Sequence, residues 1–238
     1  MNIAVIFAGG AGQRMNTRSL PKQFLEVHGK PILVYTLECF QKHEEIQSII
    51  LVCLADWMGY VKNLVEKFRM SKVLAVIPGG NTGQDSIFEG IRYAFDYLDR
   101  ESIVLIHDGV RPLVRSETIS DCIRCVQEHG NAITTTPAIE TVFLSNEDGI
   151  ERIFDRTRCA MARAPQCFYL NDIYGAHIKA RKEGRHNFID SAVMMQHYGA
   201  RLFTIRGPVE NIKITTPMDF YIFRALLDAR ENMQIIGI

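Results

Sequence analysis

The chain has 238 residues, 47% of them hydrophobic, which suits one α/β domain with a substantial core. Lysine plus arginine and aspartate plus glutamate number 27 each, so the balance excludes the broad basic face by which proteins hold nucleic acid or an anionic membrane surface. No apolar run reaches the roughly 20 residues that span a bilayer, and MNIAVIFAGG lacks a cationic start and a cleavage site, so the expected setting is the cytoplasm.

Residues 3–7 form the first predicted strand. A helix follows over 32–40, with Pro31 near its first turn, where a missing N–H is tolerated. The Ile- and Val-rich run 46–53 reads as a buried strand. Trp57, Val61, Leu64 and Phe68 recur at helical spacing and predict a helix over 57–68. Strands are predicted at 73–77, 103–106 and 132–136, with helices at 86–98 and 117–128 between them. This alternation predicts an α/β fold, a mostly parallel sheet with helices on both faces. The pattern changes after Pro137: 141–144 and 150–154 are extended runs around Asn146-Glu147-Asp148-Gly149, predicting a β-hairpin within a projection at about 138–158. Such a projection is an interaction element or a plain surface excursion. Helices at 171–182 and 190–197, a strand at 201–205 and a last helix from 218 towards 230 complete a single domain over 1–238. Cys122 and Cys125 form a CxxC inside a helical pattern with no second ligand pair, so the six cysteines read as free thiols.

Ligands in open α/β sheets bind at the carboxyl ends of strands, where glycine lets backbone N–H groups approach phosphate oxygens. Phe7, Ala8, Gly9 and Gly10 stand at such an end, in the run Ala8-Gly-Gly-Ala-Gly-Gln-Arg-Met15. The run is neither a P-loop nor GxGxxG, and a tight turn explains its glycines equally well. Arg14 and Lys22 shift that balance, because two cations beside a Gly-rich turn suit a triphosphate under attack. In His107-Asp-Gly-Val-Arg-Pro112, Asp108 ends an apolar strand, a place for Mg²⁺, which takes hard oxygen ligands together with substrate phosphates. A turn or cap residue is the plainer alternative for Asp108, and His107 reads as a packed, hydrogen-bonded residue. A second Gly-rich turn runs through Gly79, Gly80, Asn81, Thr82, Gly83, Gln84, Asp85 and Ser86. It can read a base edge or a ribose, or it is a helix entry capped by Ser86 or Asp85. Asp155-Arg156 and Asn211-Ile-Lys-Ile-Thr-Thr-Pro217 each add one cation beside extended structure.

Together these segments resemble the cytidylyltransferases that make CDP-linked polyols, the 2-C-methyl-D-erythritol 4-phosphate and ribitol-5-phosphate enzymes. AGGAGQRM with LPKQFL, HDGVRP and NIKITTP occur in family order across nearly the whole chain. The resemblance implies a Rossmann-like core with a projecting arm that builds a homodimer, and CTP plus an alditol phosphate giving a CDP-alditol and pyrophosphate with Mg²⁺. It implies that Arg14 and Lys22 stabilise the transition state at the α-phosphorus, and that Arg156 and Lys213 orient the polyol phosphate. Phe7 to Gly10, Gly79 to Ser86 and Gly109 would hold CTP. Asp108 would bind or adjoin the metal, with Glu210 a second metal candidate. Glu140, Thr141 and Asp190 would lie on the polyol side.

The Arg14 to Lys22 spacing, the Leu before Pro21, and Ile139-Glu-Thr-Val-Phe143 look more like the ribitol-phosphate branch, whose products enter teichoic-acid and capsule synthesis. The erythritol-phosphate branch of isoprenoid synthesis typically has DTxK where this chain has Phe143 at the lysine position, and Thr where it has Ile189. Gly83 stands where the family usually has Arg, Glu140 where Asp is usual, and Ala164 where Thr precedes the Pro-Gln pair. The first expectation is therefore D-ribitol 5-phosphate, with the erythritol phosphate as alternative. A nucleotide-sugar glycosyltransferase would need a DxD-type motif, which Asp108-Gly-Val does not supply, and a nucleotide sensor without chemistry would not need this set of cations.

Overall fold

Strand β1 (Asn2–Ala8) is apolar on both faces. Ala4, Ile6 and Ala8 pack to one side, and Ile3 and Val5 to the other. A strand of this kind belongs inside a sheet covered twice, and each fully buried Ile or Val there contributes about 1.5–3 kcal/mol. The structure is a computed structural model describing residues 1–9 and 20–236, with side chains to residue 232.

A 3-10 turn at Lys22–Phe24 leads to β2 (Glu26–Val27) and β3 (Lys30–Pro31), a short antiparallel pair. Pro31 is the N-cap of α1 (Ile32–Gln41). Then follow β4 (Ser48–Cys53), α2 (Met58–Lys67), β5 (Val73–Pro78), α3 (Gly83–Tyr97), β6 (Ile103–Asp108), α4 (Ser116–His129) and β7 (Asn131–Pro137). The predicted hairpin is β8 (Phe143–Asn146) paired with β9 (Gly149–Ile153). The chain ends through β10 (Ala160–Tyr169), α5 (Leu170–Lys182), α6 (Ser191–His197), β11 (Thr204–Arg206) and α7 (Pro217–Ile236).

The seven-stranded sheet has the order β11-β7-β10-β6-β1-β4-β5. Every pairing in it is parallel except those of β10, which runs antiparallel to both β6 and β7. Helices α1, α2 and α4 cover one face, while α3, α5 and α6 cover the other. From β1 the chain winds outward through β4 and β5, then returns to β6 on the far side of β1. Successive connections diverge at that point, leaving a crevice at the carboxyl ends of β1 and β6.

Three expectations change. Sequence reasoning did not find β10, although it sits near the middle of the sheet. Helix α3 starts at Gly83 rather than Ser86, because Thr82 is its cap: the Thr82 side chain accepts from the Asp85 N–H at 3.0 Å. The last strand is Thr204–Arg206 rather than 201–205. All six cysteines are free thiols, with Cys122 and Cys125 buried in α4. Among the described residues no helix is long and apolar enough to cross a membrane.

Candidate active site

The crevice opens into a cavity of about 440 Å³ whose wall includes Phe7, Asp108, Arg111, Arg163, Gln166 and Lys213. Its geometry starts from the turn after β6. Gly109 N–H donates to the Phe7 carbonyl at 2.9 Å, folding the turn onto the end of β1. A Cβ at Gly109 would stand 2.9 Å from Ala8 Cβ and 3.1 Å from Leu33 Cδ1, so the turn closes this tightly only with glycine. Thr36 Oγ1 donates to the Gly109 carbonyl at 3.0 Å and fixes it from α1. Gly109 therefore shapes the turn that presents Asp108, and is itself packed inside.

Both Asp108 oxygens are engaged. Arg111 Nε donates to Oδ2 at 3.1 Å, and Lys213 Nζ lies 2.6 Å from Oδ1. Burial pushes the Asp108 carboxyl up, but the Lys213 ammonium and the Arg111 guanidinium outweigh it and hold it below the usual carboxylate range. Arg111 Nη1 also donates to the Asn211 carbonyl at 2.7 Å, and Ile214 N–H donates to the Val110 carbonyl at 2.9 Å. The Asn211-Ile-Lys213 segment is thus tied to the Asp108 turn, which places Lys213 at the cavity. Beneath them His107 is fully buried, its Nε2 3.0 Å from the Arg111 carbonyl, and burial depresses its pKa to about 4. It is the packed, hydrogen-bonded histidine that was expected.

The opposite wall belongs to α3, α5 and α6. Gln84 donates to the Arg185 carbonyl at 3.0 Å and accepts from Phe188 N–H at 2.9 Å, clamping the 185–188 segment over the cavity. Asp190 caps α6 by accepting from Val193 N–H at 2.8 Å, and its second oxygen accepts from Gln166 Nε2 at 3.0 Å. His177 also lines the cavity, and neither of its ring nitrogens has a partner among the described residues. Burial lowers its pKa to about 4, with Arg181 acting in the same direction and Asp85 against it.

The cavity gathers Phe7, Thr82, Gly83, Gln84, Asp108, Asp190 and Lys213 from the residues the sequence singled out. Gly79 and Gly80 instead pack on the start of α3: a Cβ at Gly79 would meet Ser86 Oγ at 2.7 Å, and one at Gly80 would meet Asp85 Cβ at 2.4 Å. Ser86 Oγ is held within this turn, accepting from Gly80 N–H at 3.2 Å and donating to the Thr82 carbonyl at 2.9 Å. Asp85 faces Arg181 and His186, at 2.9 and 3.2 Å. These residues form the turn rather than the cavity wall, and Asn81, Ala8 and Gly9 are outside that wall too. Lys22 is buried in the 3-10 turn whose Gln23 side chain donates to the Ala8 carbonyl at 2.8 Å, so it stays near the carboxyl end of β1. Gly10 and Arg14 lie outside the described residues.

Glu210, Glu140, Thr141 and Arg156 lie away from this cavity in their own chain. Glu210 pairs with Arg115 at 2.8 Å. Glu140, Thr141 and Arg156 belong to the projecting arm and are exposed, outside the cavity of their own chain. Arg156 Nη1 donates to the Ile139 carbonyl at 2.9 Å. Sequence reasoning gave no role to Arg111, although it stands three residues after Asp108 in the quoted motif, nor to Gln166 of the Pro-Gln pair, Arg163 or His177.

The cavity wall carries three full cations, Arg111, Arg163 and Lys213, against the carboxylates Asp108 and Asp190. The excess of one positive charge favours an anionic ligand. The family model of 2-C-methyl-D-erythritol 4-phosphate cytidylyltransferase (IspD) matches residues 2–229. The chain belongs to the IspD cytidylyltransferase family. It is an enzyme of the nucleotidyltransferase class. It is 53% identical over all 238 residues to a ribitol-5-phosphate cytidylyltransferase of Streptococcus agalactiae serotype III (strain NEM316), covering 100% of both chains. It is 48% identical to the ribitol-5-phosphate cytidylyltransferase of Vibrio parahaemolyticus serotype O3:K6 (strain RIMD 2210633), again covering 100% of both. A 2-C-methyl-D-erythritol 4-phosphate cytidylyltransferase of Clostridium botulinum (strain Langeland / NCTC 10281 / Type F) is 36% identical, over 95% of this chain and 97% of that one. The crystal structure of 4-diphosphocytidyl-2C-methyl-D-erythritol synthase from Anaerococcus prevotii DSM 20548 superposes with a TM-score of 0.82 at 28% identity, covering 95% of this chain and 96% of that chain. The resemblance read from the motifs is borne out at the level of the family, and the more similar relatives stand on the ribitol-phosphate side.

Proposed function

We propose that this IspD-family enzyme transfers the cytidylyl group of CTP to D-ribitol 5-phosphate, giving CDP-ribitol and pyrophosphate. The observation that carries this reading is the Arg111–Asp108–Lys213 cluster at the sheet's crossover crevice, in a chain half identical along its whole length to enzymes named for that reaction. An oxygen of the acceptor phosphate attacks the α-phosphorus of CTP. The bond from that phosphorus to the bridging oxygen breaks, and pyrophosphate leaves. A phosphate monoester has its second pKa near ~6, so its oxygen is ionised around neutral pH without a general base. The difficulty is bringing two anions together, and preorganised cations address it.

In this reading Lys22 and Arg14 stabilise the charge at the α-phosphorus. The strand end from Phe7 to Gly10 and the turn from Gly79 to Ser86 hold CTP, and Lys213 orients the acceptor phosphate. Mg²⁺ takes one or two carboxylates together with substrate phosphates, and Asp108, ionised at the cavity wall, would supply a lone pair that Arg111 and Lys213 leave free. Bound there, the ion would neutralise triphosphate charge. Asp190 would meet the polyol from the rim of α6.

The arm completes the reading as a dimer element. Ile139, Phe143, Ile150 and Ile153 are each more than half exposed, an apolar surface that a second copy would cover. Pairing through the arm would carry Glu140, Thr141 and Arg156 to the acceptor side of the partner's cavity. CDP-ribitol made in the cytoplasm would supply teichoic-acid or capsule polymer synthesis. Transfer to 2-C-methyl-D-erythritol 4-phosphate is the second reading, favoured by the description of the family model. Pyrophosphate release measured with CTP and UTP side by side tests the nucleotide: turnover with CTP supports the proposal, and turnover with UTP alone refutes it.

A further inference from the structure

The cavity wall holds a cation that the family motifs do not assign. Arg163 stands in β10, within the register shift between Ala162 and Gln166, and it is half-buried. Its one hydrogen bond among the described residues is from Nε to Thr136 Oγ1, at 3.3 Å. A guanidinium has five N–H donors, so most of this one is not used by the protein. No carboxylate among the described residues comes within ion-pair distance of Arg163, and the segments 10–19 and 233–238 contain no Asp or Glu. Burial lowers its pKa, and the neighbouring Arg111 adds to that effect. A like-charge neighbour and partial burial are both unfavourable to a guanidinium unless an anion joins them.

One residue ties the three cations together. Asn211, fully buried, accepts from Arg111 at its carbonyl (2.7 Å) and donates from Nδ2 to the Ala164 carbonyl (2.7 Å). Lys213 follows it by two residues, and Arg163 precedes Ala164 by one. The backbone that carries Arg163 is therefore fixed to the segment that carries Lys213. Arg111 and Lys213 already share the Asp108 carboxylate, whereas Arg163 shares nothing of opposite charge. Sheet order places Arg163 away from the nucleotide loop, because β10 lies beyond β6 from β1. Ala162 and Ala164 flank it with minimal side chains, and Ala164 replaces the hydroxyl that the family usually has there.

We propose that Arg163 binds the phosphate of the acceptor together with Lys213, and so contributes to the choice of acceptor in this chain. The inference rests on the CTP:polyol-phosphate reading for its substrate, but the anion site can be tested without turnover. A charge-assisted pair to phosphate of this type is worth on the order of 10- to 100-fold in binding.

The experiment compares wild type with Arg163→Gln and Arg163→Lys, after thermal melts establish that they fold. With D-ribitol 5-phosphate and CTP, Arg163→Gln should raise KM for the polyol phosphate by about 10-fold or more and leave KM for CTP within about two-fold, with Arg163→Lys in between. Inorganic phosphate, titrated calorimetrically into protein without CTP, should bind wild type and bind Arg163→Gln correspondingly less well. Unchanged KM values, a change in KM for CTP alone, or equal phosphate binding by wild type and Arg163→Gln would each overturn the inference. If wild type turned over no polyol phosphate yet bound inorganic phosphate through Arg163, the substrate reading would fail and the anion site would stand. Should Arg163→Gln not fold, the same comparisons with Arg163→Lys decide the matter, since a point charge on a flexible stem cannot reproduce the bidentate contact of a guanidinium.

Discussion

The Lys213 ammonium lies 2.6 Å from Asp108 Oδ1, joining the carboxyl end of β6 to the segment that follows β11. Arg111 closes on the other oxygen at 3.1 Å, and the Arg111–Asp108 pair is buried. The carboxylate positions two cations at the cavity, and the cluster keeps a net positive charge for an anionic ligand. Asp108→Asn should therefore damage both stability and activity. Leaving Arg111 buried without its partner costs about 3 kcal/mol. Urea midpoints would show the loss of stability and pyrophosphate release the loss of rate. A variant as stable and as active as wild type would remove Asp108 from the account.

Lys22 is assigned to the transition state rather than to nucleotide binding. Lys22→Ala should lower the single-turnover rate by roughly 10²–10³ and change CTP affinity much less. Rapid-quench kinetics with equilibrium CTP binding separates the two. A change in rate of less than a few-fold would reassign Lys22.

Burial sets a pH dependence. His177 in the folded protein titrates at about 4, below its ordinary 6.5, so the folded state binds fewer protons than the unfolded chain. Its contribution to stability is complete above pH 6.5 and is lost as pH falls towards 4, a total of about 3 kcal/mol at ~1.4 kcal/mol per pKa unit. His107 acts in the same direction. Between pH 7 and pH 5, His177→Phe should lose clearly less stability than wild type by urea denaturation. Equal losses in the two proteins would contradict this role for His177.

In the proposed dimer the arm forms the interface. Deleting residues 141–154 should give monomers by light scattering, and a deletion that stayed dimeric would discard the arm as the interface. Because Arg156 lies outside its own chain's cavity, mixing Lys22→Ala with Arg156→Ala should restore part of the activity that each lacks alone. No recovery after subunit exchange would place Arg156 outside the partner's site.

The parallel core was legible because its strands are Ile- and Val-rich runs separated by helical spacing. β10 was not. Ala160–Tyr169 contains Arg163 and Pro165, residues that argue against an inner strand. The register shift between Ala162 and Gln166 takes Pro165 out of the ladder, so the strand tolerates it. The start of α3 was misplaced for a local reason: Thr82 Oγ1 accepts from Asp85 N–H and donates to the Asp85 carboxylate, and Gly83 is a poor helix former that hides the first turn. The places of Asp108 and Lys213 at the cavity were readable because each lies in a quoted motif, Asp108 at the end of β6 and Lys213 in the connection before α7. His177 reaches the cavity only through tertiary packing, and Arg163 had no signal beyond the neighbouring Ala164, whose departure from the family pattern does not point to a cation.

Purified enzyme with CTP and Mg²⁺ should release pyrophosphate with D-ribitol 5-phosphate at a kcat/KM well above that with 2-C-methyl-D-erythritol 4-phosphate. Pyrophosphate released with the erythritol phosphate and none with the ribitol phosphate, or none with any polyol phosphate from folded protein, would contradict it.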